Sequence, residues 1–225
     1  MVAFAKIEAM AVKRLGADAL KDRLPKVKTP AALKKTSDDR YLSLMSLRIF
    51  RAGLKHDMVD AKWPAFEEAF HGFDPHRIRA MSDEEIELLL KNAALIRHLG
   101  KMKAVHANAA ALLDLVAEQG SFGTYLAAWP GDRVTALWDD LTKRFQQLGG
   151  NSGAYFLRMS GKDSFILTPY VIVALNKWGA FKGEPKGKGD RAKVQLVFNE
   201  WAAETGHPLA HLSMMLAATI DAMKK

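Results

Sequence analysis

The stretch Leu148-Gly149-Gly150-Asn151-Ser152-Gly153 has the residue types needed to hold a phosphate. Three glycines let the backbone turn tightly and come close to a partner. The helical pattern that follows, starting near Gly153, offers unpaired N–H groups and a positive dipole end to an anion. Such a contact positions a nucleic acid without reading its sequence. Taken alone, the same residues also make an ordinary surface loop. Charge points the same way: Lys and Arg number 33 against 25 Asp and Glu, a formal net charge of +8 over 225 residues, which favours a polyanionic partner. Two further basic groups have a double reading. Lys182 to Arg191, rich in Gly and Lys, is predicted to be a mobile loop, either a solvated connector or a brush against a phosphate backbone. Arg97 and Lys101, spaced as one helical turn, either satisfy a loop carboxylate such as Asp74 or contact a phosphate.

Other chemistries are excluded or weakly supported. With no cysteine, a thiolate nucleophile, a disulfide framework and a thiolate metal site are all ruled out. The seven histidines do not assemble a ligand set: only His207 and His211 have a helical ligand spacing, and no third or fourth ligand accompanies them. No metal and no cofactor are expected. Glu84, Glu85 and Glu87 fall early in a helix, where acids favour the dipole. The start of the chain lacks the apolar core of a signal peptide, and the weakly charged run Ser164 to Asn176 is too short to span a bilayer. A cytoplasmic protein with no membrane partner is expected.

The elements that must position these groups read as helices. Ile86, Leu89, Leu90 and Ala93, then Ala104, Ala107, Ala111 and Leu115, recur at helical spacing. Ser82 three residues before Glu85 predicts a capping box. Helices are predicted over Ala3 to Leu24, Thr124 to Trp129 and Val134 to Leu148, with a turn at Pro130-Gly131-Asp132. Only Phe165-Ile166-Leu167-Thr168 is strand-like, and four residues do not make a sheet. The expectation is an all-α chain, a single unit whose helical lobes share a cleft. It divides into a leading helix and basic connector (1–36), a helical lobe (37–130), and a hairpin-containing part with the C-terminal helices (131–225).

A chain of motifs then carries a family resemblance. Phe70-His71-Gly72-Phe73-Asp74-Pro75 is followed by Ala80-Met81 and Glu84-Glu85-Ile86-Glu87. Next comes Leu95-Ile96-Arg97-His98-Leu99-Gly100-Lys101-Met102, with Ala104-Val105 and Asn108-Ala109 behind it. Phe122-Gly123-Thr124-Tyr125-Leu126 and Trp129 follow, and Ala52-Gly53-Leu54 lies upstream. In this order the motifs resemble the DNA-3-methyladenine glycosylase type I family, over roughly Asp39 to Leu175. The family belongs to the helix-hairpin-helix glycosylases, so the resemblance implies that fold and makes Gly149, Gly150, Asn151, Ser152 and Gly153 the hairpin that binds DNA phosphate. The absence of cysteine means that the family's zinc site has no counterpart here.

The resemblance also assigns positions around the reacting base, and several of them have changed. Ala154 stands where related enzymes that cut the backbone carry a lysine, which implies a monofunctional enzyme using water. Thr168, in Leu167-Thr168-Pro169-Tyr170-Val171, replaces the superfamily's catalytic aspartate and also reads as a helix N-cap. The nearest carboxylate, Asp163, either serves in catalysis or bonds to local backbone in a turn. Arg48 stands where the family reads its cationic base with a glutamate. It would repel a cation and donate hydrogen bonds to a carbonyl-bearing base. His56 replaces a pocket tryptophan, while Phe50, Trp63, Tyr155 and Tyr41 are available either to stack on an extruded base or to fill the core.

The function these readings imply is a DNA repair glycosylase for base excision repair. It hydrolyses the N-glycosidic bond of a damaged, alkylated base after flipping it from double-stranded DNA, and it works as a monomer. The alternative is a DNA-binding helix-hairpin-helix module that has lost the chemistry.

Overall fold

Local start and stop signals set many of the helix boundaries. The computed structural model describes residues 2–221 and contains no strand among them. In chain order the helices are α1 (Phe4–Leu15), α2 (Ala17–Arg23), α3 (Pro30–Lys34), α4 (Asp38–Arg51), α5 (His56–Ala69), α6 (Pro75–Arg79) and α7 (Asp83–Leu88). They continue with α8 (Leu99–Gln119), α9 (Phe122–Ala128), α10 (Val134–Arg144), α11 (Ser152–Ser160), α12 (Pro169–Lys177), α13 (Gly187–Thr205) and α14 (Leu209–Ala218). The capping box forms as expected: Glu85 N donates to Ser82 Oγ at 3.2 Å and Ser82 N to Glu85 Oε2 at 2.7 Å. None of the helices described is long and apolar enough to cross a membrane.

Several elements differ from the sequence reading: the basic connector holds the short helix α3, and the helix expected over Val134 to Leu148 ends at Arg144. The helix expected over Ala3 to Leu24 breaks at Gly16, whose φ of 81° is open to glycine and strained for other residues. The predicted mobile loop is shorter than Lys182 to Arg191, because α13 already begins at Gly187. Arg97 and Lys101 do not share a helix: Arg97 is exposed and precedes α8, whose N-cap is His98, with the ring Nδ1 accepting from Lys101 N.

The chain divides into two compact units. The first is drawn from residues 1–28, 130–137 and 161–225. Here α1 buries Phe4, Ile7 and Ala11, spaced three and four apart, and packs on α13 and α14. Phe4 lies 5.3 Å from the Trp201 ring, Phe4 N donates to Glu204 Oε1 at 2.9 Å, and Trp201 Nε1 donates to Val2 O at 3.1 Å. The strand-like Phe165-Ile166-Leu167 is buried irregular chain, with Phe165 stacked 4.3 Å from Phe198.

The second unit comprises residues 29–129 and 138–160. α8 sends Met102, Val105, Ala109, Leu112 and Leu115 into its core. α3 and α9 approach so closely that a Cβ on Gly123 would sit 2.4 Å from Leu33 O. The Phe-His-Gly-Phe-Asp-Pro motif makes a tight left-handed turn, with φ of 54° at His71, 68° at Gly72 and 59° at Phe73. Only glycine adopts that region freely, so the surroundings must hold the other two residues there. Arg40 does so from one side, forking onto Glu67 at 3.0 and 2.9 Å and donating from Nη2 to Gly72 O. From the other side, Phe73 is fully buried against Trp63 and Phe70. Asp74 then caps α6, accepting from His76 N and Arg77 N, with Pro75 at the first helical position.

Candidate nucleic-acid interface and base site

Within the second unit, the glycine-rich stretch forms a closed turn. Ser152 N donates to Gly149 O and Gly153 N donates to Leu148 O, each at 3.1 Å, and Gly150 is left-handed with φ 57°. A Cβ on Gly153 would meet Leu148 O at 3.1 Å, so glycine is what lets the loop fold back onto the start of α11. Gly149 and Gly150 are exposed, and Asn151 and Ser152 are partly so. The turn spends the N–H groups of Ser152 and Gly153 on its own carbonyls, so the unpaired N–H groups expected there are not all available to an anion; the exposed Gly149 and Gly150 and the dipole end of α11 remain to face one.

Arg48 reaches this turn from the last turn of α4, where a cation meets the negative end of the helix dipole. Its Nη2 lies 3.4 Å from Ser152 Oγ, and its guanidinium carbon sits 4.5 Å from the centre of the Tyr155 ring. Its Nε is buried and makes no hydrogen bond. Burial pushes the guanidinium below its ordinary pKa; Tyr155 opposes that shift and Arg51 adds to it.

A second cation lies beside it. Lys101 is 7% exposed, and its ammonium donates to Phe50 O at 3.2 Å and Ala52 O at 2.7 Å. These carbonyls belong to the end of α4 and are left without helical partners. Burial and then the charge of Arg48 hold the Lys101 ammonium below its ordinary pKa. Neither Arg48 nor Lys101 forms an ion pair with a carboxylate among the described residues. Lys101 does not satisfy Asp74, whose carboxylate caps α6. Its role was hidden in the sequence because His98 is an unusual N-cap, so the start of α8 could not be placed.

The other expected pocket residues separate. Phe50 is fully buried, 4.5 Å from Phe66, and Tyr41 is fully buried with its hydroxyl on Leu33 O at 2.7 Å, so neither offers a face to an extruded base. Trp63 stacks on Phe66 and Phe73 and donates to Ser43 Oγ at 3.1 Å, which places it in the aromatic cluster. His56 is exposed at the first position of α5. Of this group, only Tyr155 joins Arg48. Ala154 is fully buried and supplies no amine.

In the first unit, Asp163 caps a helix distant in sequence and makes no bond to local backbone among the described residues. Its carboxylate accepts from Leu209 N at 2.9 Å and Ala210 N at 2.8 Å, at the N-terminus of α14. Thr168 caps α12, accepting from Val171 N at 3.2 Å. Both expected catalytic side chains are therefore engaged in starting helices. His207 pairs with Glu8 and His211 with Pro25 O, so the two histidines bind different partners. The described residues hold no group of three or more His, Asp or Glu placed to bind a metal.

The family model for methyladenine glycosylase matches residues 32–147, just over half of the chain. The chain belongs to the methyladenine glycosylase family. DNA-3-methyladenine glycosylase 1 of Escherichia coli (strain K12) is 35% identical over 80 residues, 36% of this chain and 43% of that protein. This family member spans less than half the length of the curated relatives it matches. A crystal structure of 3-methyladenine DNA glycosylase I superposes with a TM-score of 0.51 at 28% identity, covering 64% of this chain and 86% of that one. The 8-oxoguanine DNA glycosylase of Methanocaldococcus jannaschii has the same fold over 93% of this chain and 89% of its own, with a TM-score of 0.57 at 15% identity. The all-α, helix-hairpin-helix-like fold expected from the sequence is thus the observed one. The family's matched region includes α4, Arg48 and Lys101, and ends at Gln147, directly before the glycine turn.

Proposed function

We propose that this chain is a monofunctional DNA glycosylase acting as a monomer on damaged double-stranded DNA in the cytoplasm. Family membership supports the activity, and the turn Leu148 to Gly153 leading into α11 supplies the phosphate contact. The observation that carries the reading is the contact between that turn and Arg48, because it joins a DNA-holding element to a group able to recognise a base. In the reaction, water oxygen bonds to C1′, the glycosidic bond breaks, one water proton leaves with the base, and an abasic sugar remains. With Ala154 buried where a lysine would be needed, no amine is positioned there to attack C1′, and the strand stays uncut.

A second reading, a DNA-binding module without catalysis, draws on the capping roles of Asp163 and Thr168, which leave neither free to orient water. One assay separates the two. Duplexes carrying single deaminated, oxidised or alkylated bases are incubated with the protein, and free base and alkali-labile sites are measured. Release without strand cleavage until alkali is added is the expected result. Tight duplex binding with no release from any member favours the binding module, and no binding at low salt rejects both.

A further inference from the structure

We propose that Arg48, Tyr155 and Lys101 form a base-reading site for a neutral base with a hydrogen-bond acceptor edge, a carbonyl oxygen or ring nitrogen, and that the site disfavours cationic alkylpurines. The proposal rests on the glycosylase reading above. Four observations carry it. The site holds two positive charges, and no carboxylate among the described residues pairs with either. Arg48 Nε is buried with no acceptor, and such a group in a folded protein calls for a partner that arrives with a ligand. The other polar contact of Arg48, to Ser152 Oγ, is long at 3.4 Å, so most of the five guanidinium donors are uncommitted. Lys101 spends two of its three donors on carbonyls, which fixes a charge close enough to interact with that of Arg48.

The chemistry of the occupant follows from those donors. A planar guanidinium matches two adjacent acceptors, the pattern a guanine-like base presents as a carbonyl oxygen and a ring nitrogen. Tyr155 supplies a ring for the guanidinium to rest on, and that contact depends on a cation being there. A base that is itself a cation would bring a third positive charge to a half-buried site with no negative group to offset it. A backbone phosphate shares the acceptor chemistry, but Arg48 Nε is buried and Lys101 is 7% exposed, so a phosphate kept at the protein surface would reach neither. A flat base that enters the site fits those groups better.

The test uses the full-length protein, and Arg48→Gln, on duplexes carrying one hypoxanthine, one 8-oxoguanine or one cationic 7-methylguanine. Wild type is expected to release at least one neutral carbonyl-bearing base about tenfold or more faster than the cation. Arg48→Gln should lower that release by about ten- to a hundredfold, the range for losing a bidentate base contact, and narrow the preference. Equal or faster release of the cation by wild type overturns the proposal. It is also overturned if Arg48→Gln leaves the preference unchanged while weakening undamaged duplex and reducing the salt slope by about one, the signature of a phosphate contact. If no duplex loses a base, the glycosylase reading fails, and equilibrium binding of the same duplexes still tests the site. Tighter binding to a neutral lesion that Arg48→Gln abolishes supports base reading, and uniform binding refutes it.

Discussion

Replacing Lys101 by Met tests whether a buried cation secures the end of α4. Methionine keeps the length and the apolar stem of the lysine and removes the ammonium. Two hydrogen bonds are lost, to Phe50 O at 3.2 Å and Ala52 O at 2.7 Å. Hydrogen bonds from a charged donor contribute about 1.5–3 kcal/mol each, so the loss is about 3–6 kcal/mol. Removing the buried charge and its repulsion with Arg48 returns several kcal/mol of this. The net destabilisation is about 2 kcal/mol at pH 7, a fall of about 4–8 °C in Tm for a chain of this size. The pH dependence gives a sharper check. Because the folded-state pKa of Lys101 lies below the ordinary lysine value of 10.5, the unfolded chain binds more protons in between, and wild type gains stability as pH rises through that window. The Met variant lacks the gain, so its deficit against wild type should widen as pH rises toward 10.5 in urea denaturation. A deficit that is constant or shrinks with pH, or a variant as stable as wild type, refutes the reasoning.

Two further substitutions probe the fold and the caps. Gly123→Ala puts a methyl 2.4 Å from Leu33 O and 3.0 Å from Lys34 Cα, both backbone atoms, so α9 must move off α3; a loss of about 3 kcal/mol or more by chemical denaturation is expected. Asp163→Ala removes both acceptors at the start of α14 and should lower stability by about 1–2 kcal/mol. Asp163→Asn keeps one acceptor and should fall between, with base release unchanged once both proteins are folded. Loss of release with normal Tm in the Asn variant would restore a catalytic role to this carboxylate.

Local signals were legible, and long-range ones were not. The Ser82 and Glu85 box, the Thr168 cap and the Gly149 to Gly153 turn all depend on residues a few positions apart, and each formed as its residue types dictate. Asp163 finds its partner 46 residues later, at α14, and nothing near it in the chain announces that. The sequence leaves Phe50 open between stacking and core, and Lys101 open between a carboxylate partner and a phosphate contact, for a related reason. A buried lysine and a core phenylalanine look in sequence like a surface contact and a stacking platform, and only the packing of α4 against α8 tells them apart. Arg48 was legible as a position and not as an environment. Its unpaired Nε and its contact with Tyr155 exist because α4 and α11 pack together.

The clasp between α1 and α13 sets an order of assembly during synthesis. Phe4 and Glu204 are 200 residues apart, and Val2 and Trp201 are 199 apart, so the pocket that Phe4 fills does not exist until α13 has left the ribosome. Until then α1 carries an uncovered face of Phe4, Ile7 and Ala11 through the translation of most of the chain. Residues 29–129 are contiguous and reach their own partners far earlier. The unit that contains the first helix is therefore the last to close, and a nascent chain stalled before α13 presents an apolar helix to chaperones while much of the base-site scaffold is already available to fold.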